Sequence, residues 1–476
     1  MKRAIVIGSG PNGLAAAIVL AQAGLGVEVF EAEAEPGGAC RSLPLTLPGF
    51  VHDFGSAVHP LAAGSPFFNT LPLADHGLEW VHGDAPVAHP LDDGTAVILE
   101  RDLAAAGGEL GADGRAWQRL IEPFAGRWDQ LAEGALGPVL RVPRHPFLMV
   151  RFGLAAMQPA NTLASGLSGA RARALFAGLA AHSILAFDQP FSSSAGVLLG
   201  AAAHAVGWPI PRGGSGAIPR ALIGHLQSLG GVVHTSRRVD AQSFRDLTTG
   251  DILTLCDTAP RALLSLAGDR LAHGYRQTIQ SFEHAPGAFK VDYALSQPVP
   301  WRAADCRRAI TVHVGGTFDE IASSEDAVAH GFHPERPFVL AAQPTLFDPS
   351  RAPEGRHVLW AYCHVPNRST VDMTDRIEAQ IERFAPGFRD CILARRAFPP
   401  AGLEAMDANL VGGDISGGAF TVRQILLRPR LRSYSTGTPN LYLCSASTPP
   451  GGAVHGMCGF HAARLALRQA GPPAQI

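Results

Sequence analysis

Residues 2–13, Lys2-Arg3-Ala4-Ile5-Val6-Ile7-Gly8-Ser9-Gly10-Pro11-Asn12-Gly13, lead into an alanine-rich run to about Gly24 and then Val27-Glu28-Val29-Phe30-Glu31. This stretch decides the fold. Residues 2–7 read as a short buried strand, the run after Gly10 as a helix, and residues 27–31 as a second strand ending on Glu31. Between strand and helix stands the pattern Gly-x-Gly-x-x-Gly. Gly8 permits the tight turn, Gly10 lets the backbone approach a pyrophosphate, and Gly13 lets the helix pack on the strand. The helix start, at Pro11 and Asn12, offers N–H groups and the positive end of the helix dipole to phosphates. Glu31, eighteen residues after Gly13, can accept hydrogen bonds from a ribose diol and repels a 2′-phosphate. The glycine pattern alone is weak. Strand, turn, helix, strand and acid in this order are a strong dinucleotide signature. NADP is disfavoured, which leaves FAD and NAD.

The residues after Glu31 separate these two. They read Ala32-Glu33-Ala34-Glu35-Pro36-Gly37-Gly38-Ala39-Cys40-Arg41-Ser42. Here the sequence resembles the phytoene desaturase-like flavoproteins, relatives of the flavin amine oxidases. Further segments carry the same resemblance along the chain. They are Pro48-Gly49-Phe50-Val51-His52-Asp53-Phe54-Gly55-Ser56, Pro211-Arg212-Gly213-Gly214-Ser215-Gly216-Ala217, the loop Pro349–His357, and Leu441-Tyr442-Leu443-Cys444-Ser445-Ala446-Ser447-Thr448-Pro449-Pro450-Gly451-Gly452-Ala453-Val454. The resemblance implies bound FAD. It places Gly38 and Arg41 along the pyrophosphate and Gly55 and Ser56 near the flavin. Val239 would lie in the cofactor site, with Gly452 and Val454 at the isoalloxazine. The implied fold is α/β: a Rossmann-like FAD-binding domain of the glutathione-reductase-2 type, interleaved with a substrate domain of sheet plus helices.

Composition bounds the rest. The chain has 476 residues, 46% hydrophobic and 17% charged, with a net charge of −2. That length suits two or three interleaved domains, and the charge balance offers nothing to nucleic acid. The seven cysteines form no Cys-x-x-Cys pair, so reduced thiols and a cytoplasmic setting are expected, without a redox dithiol or zinc site. No metal is expected. The apolar run after Met1-Lys2-Arg3 stops at Gly8, too short for a signal peptide. No stretch of 18 apolar residues exists, and Ala195–Val206 reads as a buried helix.

The FAD domain is assigned to 1–84, 206–285 and 405–476, and the substrate domain to 85–205 and 286–404. Helices are expected over Ala116–Leu131, Arg171–Leu185, Met373–Phe384 and Gly459–Arg468, and a Gly-rich turn with a helix over Pro211–Leu229. Strands are expected at Val232–Val239, Leu253–Cys256, Phe289–Tyr293, Ile310–Val314, Phe338–Ala342, His357–Tyr362 and Asn440–Cys444, with a short hairpin between the first two. No second strand–Gly-x-Gly-x-x-Gly–helix unit occurs, so no separate NAD(P)H site is expected. Electrons would leave to oxygen, a quinone or another acceptor. Arg141–Leu154 mixes arginines with large apolar residues. Its apolar positions spread around a helix axis, which favours a buried connector over peripheral contact with a membrane.

Two histidines are the candidate catalytic residues. His455 stands where the related motif usually has a small residue, and Pro449 replaces the motif's usual histidine. His455 is either an acid, base or hydrogen-bond donor beside the flavin, or a cap on the last helix. His59, before Pro60, either faces the substrate or is structural, and Asp53 reads as structural. The resemblance implies an FAD-dependent oxidoreductase that moves a hydride from a small apolar substrate, isoprenoid or alicyclic, to flavin N5. Alternatives on the same scaffold are a flavin amine or alcohol oxidase, a redox-neutral isomerase using reduced flavin, and a prenyl-binding protein of the Rab GDP-dissociation-inhibitor type.

Overall fold

Arg3–Ile7 lies at the centre of a five-stranded parallel sheet in a computed structural model that describes residues 3–429 and 433–470. Lys2, the first residue of the expected strand, lies outside that range. The strand order is Leu441–Leu443, Leu253–Cys256, Arg3–Ile7, Gly26–Phe30, Val232–His234. Both faces of the sheet are covered, which is why its central strand reads as an unbroken apolar run. Ala4 and Val6 pack with the Pro11–Gln22 helix, while Ile5 and Ile7 face Phe244, Leu263 and Tyr275 on the other side. The Pro11–Gln22 helix crosses the Met457–Ala470 helix at close range: a Cβ on Gly459 would lie 1.8 Å from the Asn12 carbonyl oxygen.

The second sheet has seven strands, in the order Ile392–Phe398, Gly287–Leu295, His357–Val365, Val339–Ala342, Ala309–Val314, Ala85–Pro90, Ala96–Leu99. All neighbours are antiparallel except Ala85–Pro90 and Ala309–Val314. The hairpin of residues 85–99, folded around Asp93 and Gly94, and the strand Ile392–Phe398 are absent from the sequence reading. One face of this sheet, with Phe289, Val291 and Leu359, packs on Ile377, Ile381 and Phe384 of the Thr374–Phe384 helix. The opposite face, with Ala288, Leu340, Trp360 and Tyr362, joins the core that also holds the Pro11–Gln22 helix.

Several expected boundaries shift for identifiable reasons. The helix expected over Ala116–Leu131 is two helices, Gly114–Ala125 and Trp128–Ala135. Pro123 and Gly126 weaken the turn between them. The helix expected over Arg171–Leu185 is α-helical only over Ala170–Ala180. It tightens to a 3-10 turn at Ala181–Ser183 and stops at Ile184, which has φ 56. The strand from Val232 stops at His234, not Val239. The expected hairpin before Leu253 is instead the helix Ala241–Leu247, whose Asp240 cap accepts the Ser243 N–H. The segment expected as a buried connector is exposed. It carries the helix Pro146–Ala156, with Val142 93% and Phe147 91% exposed. Among the described residues no helix is long and apolar enough to cross a membrane.

Candidate functional site

The site starts where the first strand passes into the Pro11–Gln22 helix. Gly8 has φ +97, and a Cβ there would meet the Asp257 carbonyl oxygen at 2.7 Å. A side chain is thus excluded by both conformation and space. Gly10 is the helix N-cap and Pro11 the first helical residue, where a missing N–H costs nothing. Glu31 follows the second strand directly. Its Oε2 accepts the N–H and hydroxyl of Ser9, at 2.9 and 2.6 Å, and its Oε1 accepts the Glu33 N–H at 2.9 Å. These bonds fix the acid against the phosphate turn. A carboxylate has about four acceptor positions, so capacity remains for one ribose hydroxyl.

Beyond the turn, Arg41 donates from Nε to the Gly38 carbonyl at 2.7 Å and from Nη2 to the Met406 carbonyl at 2.6 Å. Its guanidinium also lies over the Phe54 ring, 5.3 Å from the centroid. The Gly55 N–H donates to Ala39, and Trp360 of the second sheet donates to the Gly55 carbonyl at 3.0 Å. The end of the Val232–His234 strand explains the placement of Val239. Ser236 and Arg237 donate their N–H groups to Glu33 and Glu31, which carries the chain across the second strand. These cofactor candidates line one cavity of about 1120 Å³. Gly8, Gly10, Pro11, Asn12, Glu31, Gly38, Arg41, Gly55, Ser56, Val239, Gly452 and Val454 are all on its wall, as are His59 and His455. Gly13 sits behind the turn, and a Cβ there would lie 2.2 Å from the Gly8 carbonyl oxygen.

His455 caps the start of the last helix through one ring nitrogen and leaves the other without a hydrogen-bond partner. It is fully buried, and its Nδ1 accepts the N–H of Met457, the first residue of the last helix, at 3.0 Å. In the neutral ring this puts the proton on Nε2, which has no hydrogen-bond partner. Burial pushes its pKa down to about 4, against the carbonyls of Gly452 and Gly451. The ring is therefore a neutral cap at one nitrogen and an unused donor at the other. His59 is more fully engaged. Its Nε2 meets the Ser215 hydroxyl at 2.8 Å, Ser215 itself donates to the Ser56 carbonyl, and burial lowers the His59 pKa to about 4. Asp53 is held away from the cavity by Arg351 at 2.8 Å, Ser42 at 2.8 Å and the Ser215 N–H at 2.7 Å. Burial raises its pKa, and these partners outweigh that and hold it low.

Three wall residues escape the sequence reading. Asp257 ends the Leu253–Cys256 strand, beside the central strand, and its Oδ2 accepts the Gly13 N–H at 2.8 Å. Burial raises its pKa to about 7, with Asp407 and Glu31 adding to the rise. Lys290 is 2% exposed and pairs with Asp292. Burial pulls the Lys290 pKa down, and Asp292 opposes it. The signal for Lys290 was present: Lys290 and Asp292 lie two residues apart on an otherwise apolar strand, hence on one face. His182 has no comparable signal, because the tight turn that places it is not visible in the helical pattern. Its Nε2 lies 3.1 Å from Nε2 of His313.

The residues fit FAD. A glycine turn, a helix N-terminus and an acid suited to a ribose form one end of the cavity. Its wall continues past Arg41 and Gly55 to Gly452–His455, where a buried donor waits unpaired. Asp257, half-protonated near neutrality, is the one group at odds with a pyrophosphate. Among the described residues no group of three or more metal-ligating side chains occurs, and the seven cysteines are free and buried.

Comparison with known proteins agrees with this geometry. Residues 6–71 match the NAD(P)-binding Rossmann-like domain. The chain is 26% identical to the mouse (Mus musculus) pyridine nucleotide-disulfide oxidoreductase domain-containing protein 2, over 98% of this chain and 93% of that protein. It is 27% identical to a lycopene-forming phytoene desaturase of Pantoea ananas, over 98% and 99%. Among solved structures, an oxidoreductase from Methanosarcina mazei superposes with TM-score 0.64 at 16% identity, covering 97% of this chain and 100% of that one. A putrescine oxidase superposes with TM-score 0.58 at 16% identity, covering 99% and 98%. The chain is thus similar along nearly its whole length to phytoene desaturases, and it shares its fold with solved oxidoreductases such as putrescine oxidase, with a nucleotide site whose residues fit FAD.

Proposed function

We propose that this protein is an FAD-dependent dehydrogenase of a largely apolar substrate, in which one carbon gives up a hydride to the cofactor and its neighbour a proton to water or a side chain at the cavity wall. The carrying observation is one continuous cavity. It runs from the Gly8–Gly13 turn to a chamber walled by Leu136, Phe152, Leu198, Leu199 and Leu340. When bound, FAD supplies the hydride acceptor. The chain's own residues hold the nucleotide through the turn and Glu31, exclude water with the apolar wall, and offer the His455 Nε2–H as a neutral donor. Oxygen, a quinone or another acceptor takes the electrons onward.

The exposed 139–157 face supports peripheral membrane contact as the route by which an apolar substrate arrives. Val142, Phe147, Val150 and Leu154 are exposed there, interspersed with Arg144 and Arg151, a pairing that suits an anionic bilayer surface. Phe152, on the same helix, reaches the cavity wall.

Acid denaturation of the purified protein should release about one free FAD per chain. Under anaerobic conditions, apolar candidate substrates should bleach the bound flavin. Rapid bleaching by NADPH alone, or recovery of NAD in place of FAD, would overturn the reading.

A further inference from the structure

The far wall of the chamber is polar in a way that a pure hydrocarbon would waste. Ser183 and Thr311 line it, are 4% and 0% exposed, and neither hydroxyl has a hydrogen-bond partner. Leaving such a buried group unmet is destabilising, so two on one wall call for an occupant. His182 lines the same wall. Its Nε2 is taken by His313, which leaves Nδ1 as its remaining ring nitrogen. Two separate elements bring these groups together. Thr311 lies two residues from His313 on one face of a strand of the second sheet, His313 meets His182 at 3.1 Å, and Ser183 follows His182 in the 3-10 turn that ends the Ala170–Ala180 helix.

That turn is held in an unusual shape. Ile184, also on the wall, has φ 56 and ψ 40, a left-handed conformation that a β-branched residue adopts only under constraint. Strain of this kind collects at binding sites, where surrounding structure over-determines it. The wall also carries little net charge. Lys290 is neutralised by Asp292, and burial pushes the His182 pKa down to about 3. A carboxylate would find no free cation here, whereas a hydroxyl or carbonyl oxygen would find donors.

We propose that Ser183, Thr311 and His182 form a polar subsite for a neutral oxygen, hydroxyl or carbonyl, on an otherwise apolar substrate. This rests on the dehydrogenase reading and narrows its substrate class from hydrocarbons to oxygenated ones. An ordered water held by the same hydroxyls is the competing occupant.

The test uses the FAD-loaded protein and three probes of one chain length: dodecane, dodecan-1-ol and dodecanoate. Binding is read from perturbation of the flavin absorbance. The alcohol should bind at least about ten-fold tighter than the alkane, as expected of a site built to hydrogen-bond an oxygen. Dodecanoate should bind no tighter than the alcohol. Thr311→Val combined with Ser183→Ala should bring the alcohol to the level of the alkane, with FAD content and alkane affinity unchanged. Equal binding of alcohol and alkane, or a preference that survives the double substitution, would overturn the subsite alone. A protein that takes up no FAD and binds no probe would overturn the subsite together with the dehydrogenase reading.

Discussion

At the scale of single residues, Asp257 and His455 are the groups whose chemistry is set by burial. Asp257 accepts the N–H of Gly13, in the turn where a pyrophosphate would lie. Its pKa, raised by burial to about 7, means that the FAD-free protein holds it half-protonated at neutral pH. Phosphate charge disfavours the carboxylate further, so FAD binding takes up a proton. Affinity should therefore be highest below pH 7 and fall as pH rises through 7 and above. Asp257→Asn should flatten that dependence and tighten binding at pH 8 by about ten-fold, the equivalent of one unit of pKa difference. Flavin fluorescence titration from pH 6 to 9 reads both. His455 separates its two nitrogens by substitution. His455→Ala removes the acceptor of the Met457 N–H and should cost about 0.5–2 kcal/mol, as for a lost cap. His455→Asn should recover that stability in thermal melts, since Asn caps well, yet lack the far N–H. Both variants should keep FAD and slow its anaerobic reduction by substrate at least about ten-fold. Reduction of the Asn variant at the wild-type rate would leave His455 as a cap only.

At the scale of elements, the sequence exposes whatever follows a short period and hides what depends on a partner. The Pro11–Gln22 helix and the strands around it are legible because apolar runs, glycines and an acid stand at fixed spacing. The hairpin at 85–99 also carries its signal, an Asp93-Gly94 turn between apolar strands. Lys290 and Asp292 carry theirs in strand alternation. Ser183 and His182 do not, because the left-handed stop at Ile184 is imposed by packing rather than by local preference. The Pro146–Ala156 helix shows the limit of periodicity. Its apolar residues surround the axis, which argues burial for an isolated helix in water, yet Phe147, Val150 and Leu154 are exposed. Such a patch needs a surface to meet. Full-length protein should co-sediment with phosphatidylglycerol vesicles and less with phosphatidylcholine vesicles. Phe147→Asp with Leu154→Asp should abolish sedimentation while FAD content stays unchanged. Equal sedimentation of the variant would remove this face as the contact.

At the scale of the whole molecule, the dominant stored quantity is the number of histidines kept neutral in the interior. Burial pushes His52 and His182 to about 3, and His59, His89, His455 and His461 to about 4, below the ordinary value near 6.5. They are spread over the short His52–Asp53 strand, the turn before Pro60, the seven-stranded sheet, the 3-10 turn at Ala181–Ser183, and the last helix with the turn before it, so no single region carries the effect. The folded protein cannot protonate them until pH falls to their lowered values, while the unfolded chain protonates them from about pH 6.5. Between those limits the unfolded state binds more protons, and stability rises with pH. Above about pH 6.5 both states are neutral at these sites and the contribution is flat. On acidification it is lost at up to about 1.4 kcal/mol per pH unit for each histidine. Six of them acting together should make acid unfolding steep and place it between pH 6.5 and 4, before most carboxylates titrate. Urea unfolding of the FAD-loaded protein should show a midpoint that is level from pH 7 to 8 and drops sharply below about pH 6. Replacing His89, which lies away from the cavity wall and donates from Nε2 to the Gly316 carbonyl, with Gln should make that drop shallower by about one proton. A midpoint unchanged down to pH 4.5 would mean that these rings are charged or solvated in the folded protein.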